Sequence, residues 1–304
     1  MPVQSRVEET SGAQSHEIGL KTGAQAAVSR GVASAHPSSH VVEHVVSKDG
    51  TAIAFDRVGH GSPVILVDGA LCYRGMGPSG PLAKLLASNF TVFTYDRRGR
   101  GASGNTLPYA VEREVEDIEA LVREAGGTAY VWGVSSGAVL ALEAANRLTG
   151  IKKLAVYEAP FIVDDSRPTT EDDWIRIDEA VAAGRRDDSV KLFMKSVGVP
   201  AFVRALLRLT PAWSKLRAVA DTLPYDGAIV RNNQRGKPLP TGSWACVTVP
   251  TLVMDGGRSP AWMRHANRSL ASVLPGAQYR TLDGQTHMVK ARAHAPALAK
   301  FFEG

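Results

Sequence analysis

The side chains best placed to do chemistry stand at Gly133-Val134-Ser135-Ser136-Gly137. A serine with glycine two residues before and two after it suits a nucleophile held on a sharp strand-to-helix turn, where larger neighbours would clash. The apolar stretch Ala129–Trp132 reads as the strand and Ser136–Leu148 as the helix that this turn needs. A helix N-terminus leaves backbone N–H groups free to face a developing oxyanion, and the N–H of Ser136 is one expected donor. Ser136 is out of register as the nucleophile, because only Ser135 has glycine on both sides at that spacing.

The surrounding elements support a strand–helix alternation. Val41–Val46 and Thr51–Val58 are β-rich and separated by the turn signal Lys48-Asp49-Gly50. Val64–Val67 is a continuous apolar run, as expected of a strand buried on both faces. A helix at Gly80–Ala87, a strand at Thr91–Tyr95 and a helix at Tyr109–Glu124 follow, the last with Val111, Val115, Ile118 and Val122 at helical spacing. A strand at Lys153–Tyr157 completes this half. The pattern predicts an α/β fold with a mostly parallel, doubly wound sheet. From Phe161 to Trp244 the rhythm stops and short helices punctuated by Pro200, Pro211 and Pro224 are expected: Thr170–Ala183, Asp188–Val197, Ala201–Leu209 and Ala212–Leu223. Strands at Thr251–Met254 and Gln278–Leu282 and helices at Pro260–Val273 and Ala291–Phe302 resume it. The expected organisation is a tail over 1–40 without ordered structure, a core over 41–160 and 245–304, and a helical cap over 161–244.

Taken with Val64–Gly69, the run Tyr95-Asp96-Arg97-Arg98-Gly99-Arg100-Gly101-Ala102-Ser103-Gly104, the Ser135 turn and the late Gly284-Gln285-Thr286-His287, the chain resembles the α/β-hydrolase superfamily from about Val41 to its C-terminus. The resemblance implies an eight-stranded, mostly parallel sheet with helices on both faces and the cap above the strands' C-terminal edge. It implies that His287, on the loop after the last strand, is the base that takes the serine proton. It implies a second oxyanion donor from the loop after Val64–Val67, by position the backbone N–H of Ala70. Asp68 stands there in place of a common family histidine and is expected to anchor the loop. The Asp96–Arg97 turn is structural in the family and receives no catalytic role.

The family's acid position, after the penultimate strand, holds Ser259, a neutral residue that cannot stabilise an imidazolium as a carboxylate does. Two carboxylates could replace it. Glu158 ends the strand after the nucleophile helix, where some relatives, including a subgroup of haloalkane dehalogenases, carry their acid. Asp255 sits at the tip of the penultimate strand, four positions early. Glu158 is the preferred acid, with Asp255 the alternative and a triad without an acid the third possibility.

A chain of 304 residues, 44% hydrophobic and 21% charged, can bury a core without covalent staples. Its two cysteines, Cys72 and Cys246, form no disulfide framework and no zinc spacing. No metal or cofactor is expected, and a reducing, cytoplasmic setting follows. The net charge of +5 is dispersed and accompanied by no nucleic-acid motif, so no nucleic-acid partner is expected. No run approaches the roughly 18 apolar residues of a membrane span. The first 38 or so residues lack the compact apolar segment of a secretory signal, and Glu8, Glu9 and Glu17 argue against a transit peptide.

These features point to a serine hydrolase that cleaves a small ester or lactone through an acyl-enzyme, with thioester and C–C bond hydrolysis as variants. A serine at position 135 is the wrong nucleophile for a haloalkane dehalogenase or an epoxide hydrolase. Resemblance to cofactor-free perhydrolases leaves peracid formation as a side activity. The alternative from another class is a hydrolase-fold small-molecule binding protein or receptor with weak or no turnover, motivated by Asp68 and Ser259. Specificity is expected in the cap, where Trp174, Phe193, Met194, Phe202 and Trp213 are pocket candidates.

Overall fold

The computed structural model describes residues 42–304. The expectations for residues 1–40 lie outside the described residues. Eight strands form one sheet, in the spatial order β1 (Glu43–Val46), β2 (Ala52–Gly59), β4 (Phe90–Tyr95), β3 (Ser62–Val67), β5 (Ala129–Val134), β6 (Ile151–Tyr157), β7 (Thr251–Gly256) and β8 (Gln278–Leu282). β2 runs antiparallel to both of its neighbours, and every pairing from β4 across to β8 is parallel. The reversal of order at β3 and β4 places the C-terminal ends of β3 and β5 side by side, where a crevice opens in folds of this type.

Successive residues of the inner strands serve opposite faces. Val64, Leu66, Trp132, Tyr157 and Met254 pack with α1 (Ser79–Leu86) and α10 (Ala291–Glu303), through Leu82, Leu86, Leu298 and Phe302. Ile65, Val67, Val131, Val156 and Val253 pack with α2 (Val111–Glu124), α3 (Ser136–Arg147) and α9 (Ala261–Val273). Burial on both faces is why these strands read as unbroken apolar runs.

Between β6 and β7 lie five helices: α4 (Glu171–Ala182), α5 (Arg186–Ser196), α6 (Ala201–Leu207), α7 (Pro211–Ala218) and α8 (Leu223–Val230). They belong to the same compact unit as the sheet. The helix expected over Ala212–Leu223 is in fact divided among three elements: α7 ends at Ala218, a 3₁₀ turn spans Ala220–Thr222, and α8 begins at Leu223. Pro224 does not end a helix; it occupies the first turn of α8, where a missing N–H costs no internal hydrogen bond. α8 packs on α4, α3 and α2, so it reaches from the insertion to the helix behind the Ser135 turn.

Candidate active site

Ser135 joins β5 to α3 with φ 57° and ψ −128°, a left-handed conformation for a residue with a side chain. Such a residue carries strain of about 1–3 kcal/mol and persists only where the surroundings enforce it. Here its N–H donates to the Tyr157 carbonyl at 3.0 Å, and its own carbonyl accepts from Ala138 at 2.9 Å. Glycine is required on both sides. A Cβ on Gly137 would lie 2.3 Å from the Val67 carbonyl oxygen, and one on Gly133 would lie 2.4 Å from that of Gly137. The described residues contain two other left-handed non-glycine positions, Leu71 and Glu158, and both flank this turn.

Glu158 follows β6 directly, is fully buried and has φ 50°. Its backbone N–H is tied to the Met254 carbonyl at 3.0 Å. One carboxylate oxygen accepts the Gly256 N–H at 2.7 Å, and the other lies 2.7 Å from Nδ1 of His287. With Nδ1 engaged, Nε2 is the imidazole nitrogen left for the cavity. His287 is 43% exposed and, with Ser135, lines that cavity. No direct hydrogen bond joins the Ser135 hydroxyl to His287 among the described residues; such bonds are often long before substrate binds.

Asp255, the alternative acid, faces elsewhere. It is buried and accepts a hydrogen bond from the Tyr279 hydroxyl on β8. Burial, reinforced by this bond, pushes the Tyr279 hydroxyl above its ordinary pKa. Ser259 is buried on the turn before α9, with its N–H on the Gly256 carbonyl at 2.9 Å. The other late histidines are engaged away from the cavity. His265 pairs with Asp164 at 2.7 Å. His294 is buried in α10 with its ring edge-on to Tyr157 and Nδ1 3.1 Å from the Lys290 carbonyl, and burial lowers its pKa.

The loop after β3 brings Gly69, Ala70 and Leu71 to the same cavity. Asp68 is not part of its lining. Its carboxylate accepts the Ser79 hydroxyl at 2.6 Å and so anchors the loop to α1. Burial raises the Asp68 pKa to about 6, against partial lowering by the Ser79 bond and Arg100.

The cavity measures about 540 Å³. Beyond Ser135 and His287 it is walled mainly by apolar side chains, among them Leu71, Met76, Phe193, Met194, Val197 and Leu216. Of the five aromatic and methionine candidates in the insertion, Phe193 and Met194 line it. Trp174 and Trp213 do not; they are buried, with indole N–H groups on Gln234 at 2.8 Å and Asp187 at 2.6 Å. Phe202 is also no lining residue, being 68% exposed on α6.

The arginine-rich turn expected to be structural lies next to the site, and its buried acid partners, Asp226 above all, are what the sequence left hidden. Arg97, Arg98 and Arg100 are each at most 1% exposed and paired with carboxylates, so this basic cluster contributes nothing to the surface. Arg98 meets Asp117 and Asp49, while Arg97 makes a two-pronged bond to Glu114. Asp226, from α8, closes the group against Arg97, Arg100 and Ser136. The only sequence signal was the density of arginines in a glycine-rich turn, which needs buried acids to balance it.

A strained serine on a strand–turn–helix, an imidazole bonded to a buried carboxylate and a sheet of this order define an α/β hydrolase. The chain belongs to the alpha/beta hydrolase family, whose model matches residues 59–298. It is 51% identical to an alpha/beta hydrolase from Sphaerobacter thermophilus, over 86% of this chain and 100% of that one, with a TM-score of 0.78. An enol-lactonase from Burkholderia xenovorans shares the fold at 21% identity, covering 86% of this chain and 100% of that one, with a TM-score of 0.64. A thermophilic esterase from Thermogutta terrifontis does so at 20% identity, covering 86% and 98%, with a TM-score of 0.62. No curated protein matches the chain in sequence. No helix among the described residues is long and apolar enough to cross a membrane.

Proposed function

We propose that this α/β hydrolase is a serine hydrolase of small, uncharged esters or lactones. Ser135 is the nucleophile, His287 the base, Glu158 the acid, and the backbone N–H groups of Ala70 and Ser136 form the oxyanion hole. The observation that carries the reading is the buried Glu158 carboxylate 2.7 Å from His287 Nδ1, on the cavity that the left-handed Ser135 also lines. The esterase and enol-lactonase among proteins of the same fold agree with it.

His287 Nε2 takes the hydroxyl proton as Ser135 Oγ bonds to the acyl carbon. The carbonyl π electrons move to oxygen, whose charge is met by the two N–H groups. Glu158 keeps the proton of Nδ1 in place and stabilises the imidazolium. Collapse of the tetrahedral intermediate breaks the bond to the alcohol oxygen, which leaves with the proton from His287. Water then attacks acyl-Ser135 through the same steps, releasing the acid and restoring the serine. The five inserted helices, three of whose side chains at Phe193, Met194 and Leu216 wall the cavity, act as the cap that excludes bulk water.

The competing reading, a small-molecule binding protein with little turnover, rests on Asp68 in the loop after β3 and Ser259 at the family's acid position; Asp68 is bonded to Ser79 and does not line the cavity. The Glu158 carboxylate on His287 Nδ1 weighs against that reading and supports the enzyme. The test is hydrolysis of a p-nitrophenyl ester together with labelling by a fluorophosphonate probe. Wild-type protein is expected to turn over and to label at Ser135, and Ser135→Ala is expected to lose kcat by about 10⁵–10⁶-fold while remaining folded. Wild-type-like turnover in Ser135→Ala would refute the mechanism.

A further inference from the structure

We propose that Asp226, on inserted helix α8, is a positioning residue that orients both donors of the oxyanion hole; this rests on the assignment of Ala70 and Ser136 as those donors. Asp226 is fully buried, and each of its oxygens is committed. One accepts the Ser136 hydroxyl and Arg97 Nη1, both at 2.7 Å. The other accepts Arg100 Nη2 at 2.7 Å. Burial alone would raise its pKa, but Arg100 and Arg97, helped by the Ser136 bond, hold the carboxyl below the usual range and keep it charged.

Two arms run from this carboxylate. The first is direct: Ser136 carries a donor N–H at the start of α3, and its side chain is fastened to Asp226, which restrains the residue in that position. The second runs through the guanidinium groups. Arg100 Nη1 donates to the Gly69 carbonyl at 2.8 Å and to the Cys72 carbonyl at 3.2 Å, and Arg97 Nη1 reaches the Asp68 carbonyl at 3.4 Å. The Gly69 carbonyl and the Ala70 N–H belong to one planar trans peptide and point in opposite directions. Holding the Gly69 oxygen on a buried guanidinium therefore turns the Ala70 N–H the other way, towards the cavity that Ala70 and Ser135 line. The group also balances in charge: Arg97 and Arg100 against Asp226 and the Glu114 of α2. An inserted helix thus supplies the anion on which the geometry of the catalytic loop depends.

The experiment compares Asp226→Asn and Ser136→Ala with wild type on a p-nitrophenyl ester and on an alkyl trifluoromethyl ketone, which forms a tetrahedral oxyanion adduct. Asp226→Asn is expected to lower kcat about 10²-fold with KM within about three-fold, and to weaken the ketone in parallel with kcat. Ser136→Ala, which keeps both ion pairs and so tests the first arm even where Asp226→Asn folds poorly, is expected to lower kcat about ten-fold. A folded Asp226→Asn protein with a lower melting temperature but unchanged kcat and ketone affinity would overturn the proposal, as would an unaffected Ser136→Ala. A wild-type protein that cleaves no ester and takes no fluorophosphonate label would instead defeat the functional reading. The positioning role is then decided by hydrogen exchange at the Ala70 and Ser136 amides: faster exchange in both variants supports it, and unchanged exchange refutes it.

Discussion

Glu158 has two oxygens with two fixed partners, which makes its amide replacement informative. The Gly256 N–H can only donate, so in Glu158→Gln the amide oxygen must face Gly256 and the amide NH₂ must face His287. Nδ1 then has to accept, the ring proton moves to Nε2, and the nitrogen facing the cavity can no longer take the serine proton. We expect kcat to fall by about 10⁴-fold with little change in KM. Asp255→Asn should keep kcat within about three-fold, since its oxygen still accepts from Tyr279 and no hydrogen bond links it to His287. Steady-state kinetics of the two variants on one ester checks this. A severe loss in Asp255→Asn with a mild one in Glu158→Gln would reverse the assignment.

At the scale of elements, the loop after β3 is held to α1 by a carboxylate that folding makes more basic. Asp68 has a pKa near 6 when buried, against an ordinary 3.8. The folded state therefore binds this proton more tightly than the unfolded chain. Its stabilising contribution is complete below about pH 3.8 and disappears as pH rises through about 6, a loss on the order of 3 kcal/mol. Asp68→Asn retains an oxygen for the Ser79 hydroxyl and carries no charge to bury. The variant should gain most over wild type at pH 8 and little at pH 4, measured as the difference in denaturation midpoint at the two values. An advantage that is the same at both would show that Asp68 titrates normally.

At the scale of the molecule, the cavity is lined jointly by core loops and by the insertion, and among the described residues its walls contain no lysine or arginine. The nearby guanidinium groups of Arg97 and Arg100 are consumed by Asp226 and Glu114. A substrate carboxylate would be desolvated there without a partner. A p-nitrophenyl ester of butyric acid should exceed the matching hydrogen succinate in kcat/KM by about 10²-fold or more. Equal turnover of the two would mean that the acyl group does not enter this cavity.

Much of this is decided locally. Apolar runs alternating with helical periods determine a parallel sheet, glycines two residues either side determine that Ser135 stands on a tight turn, and a neutral Ser259 leaves the family's usual acid position without a carboxylate. These signals lie within a few residues of what they specify, so the sequence by itself carries them. Between Glu158 and Asp255 the sequence offers a preference for Glu158 by resemblance alone: both end neighbouring strands, and which carboxylate meets His287 depends on a left-handed backbone at Glu158 and the approach of a loop 129 residues away. Asp226 is further hidden, because Pro224 two residues before it resembles a helix stop, and its partner Ser136 is 90 residues distant. A carboxylate becomes a hub only when packing removes it from water and brings two arginines against it, and that is decided by tertiary structure alone.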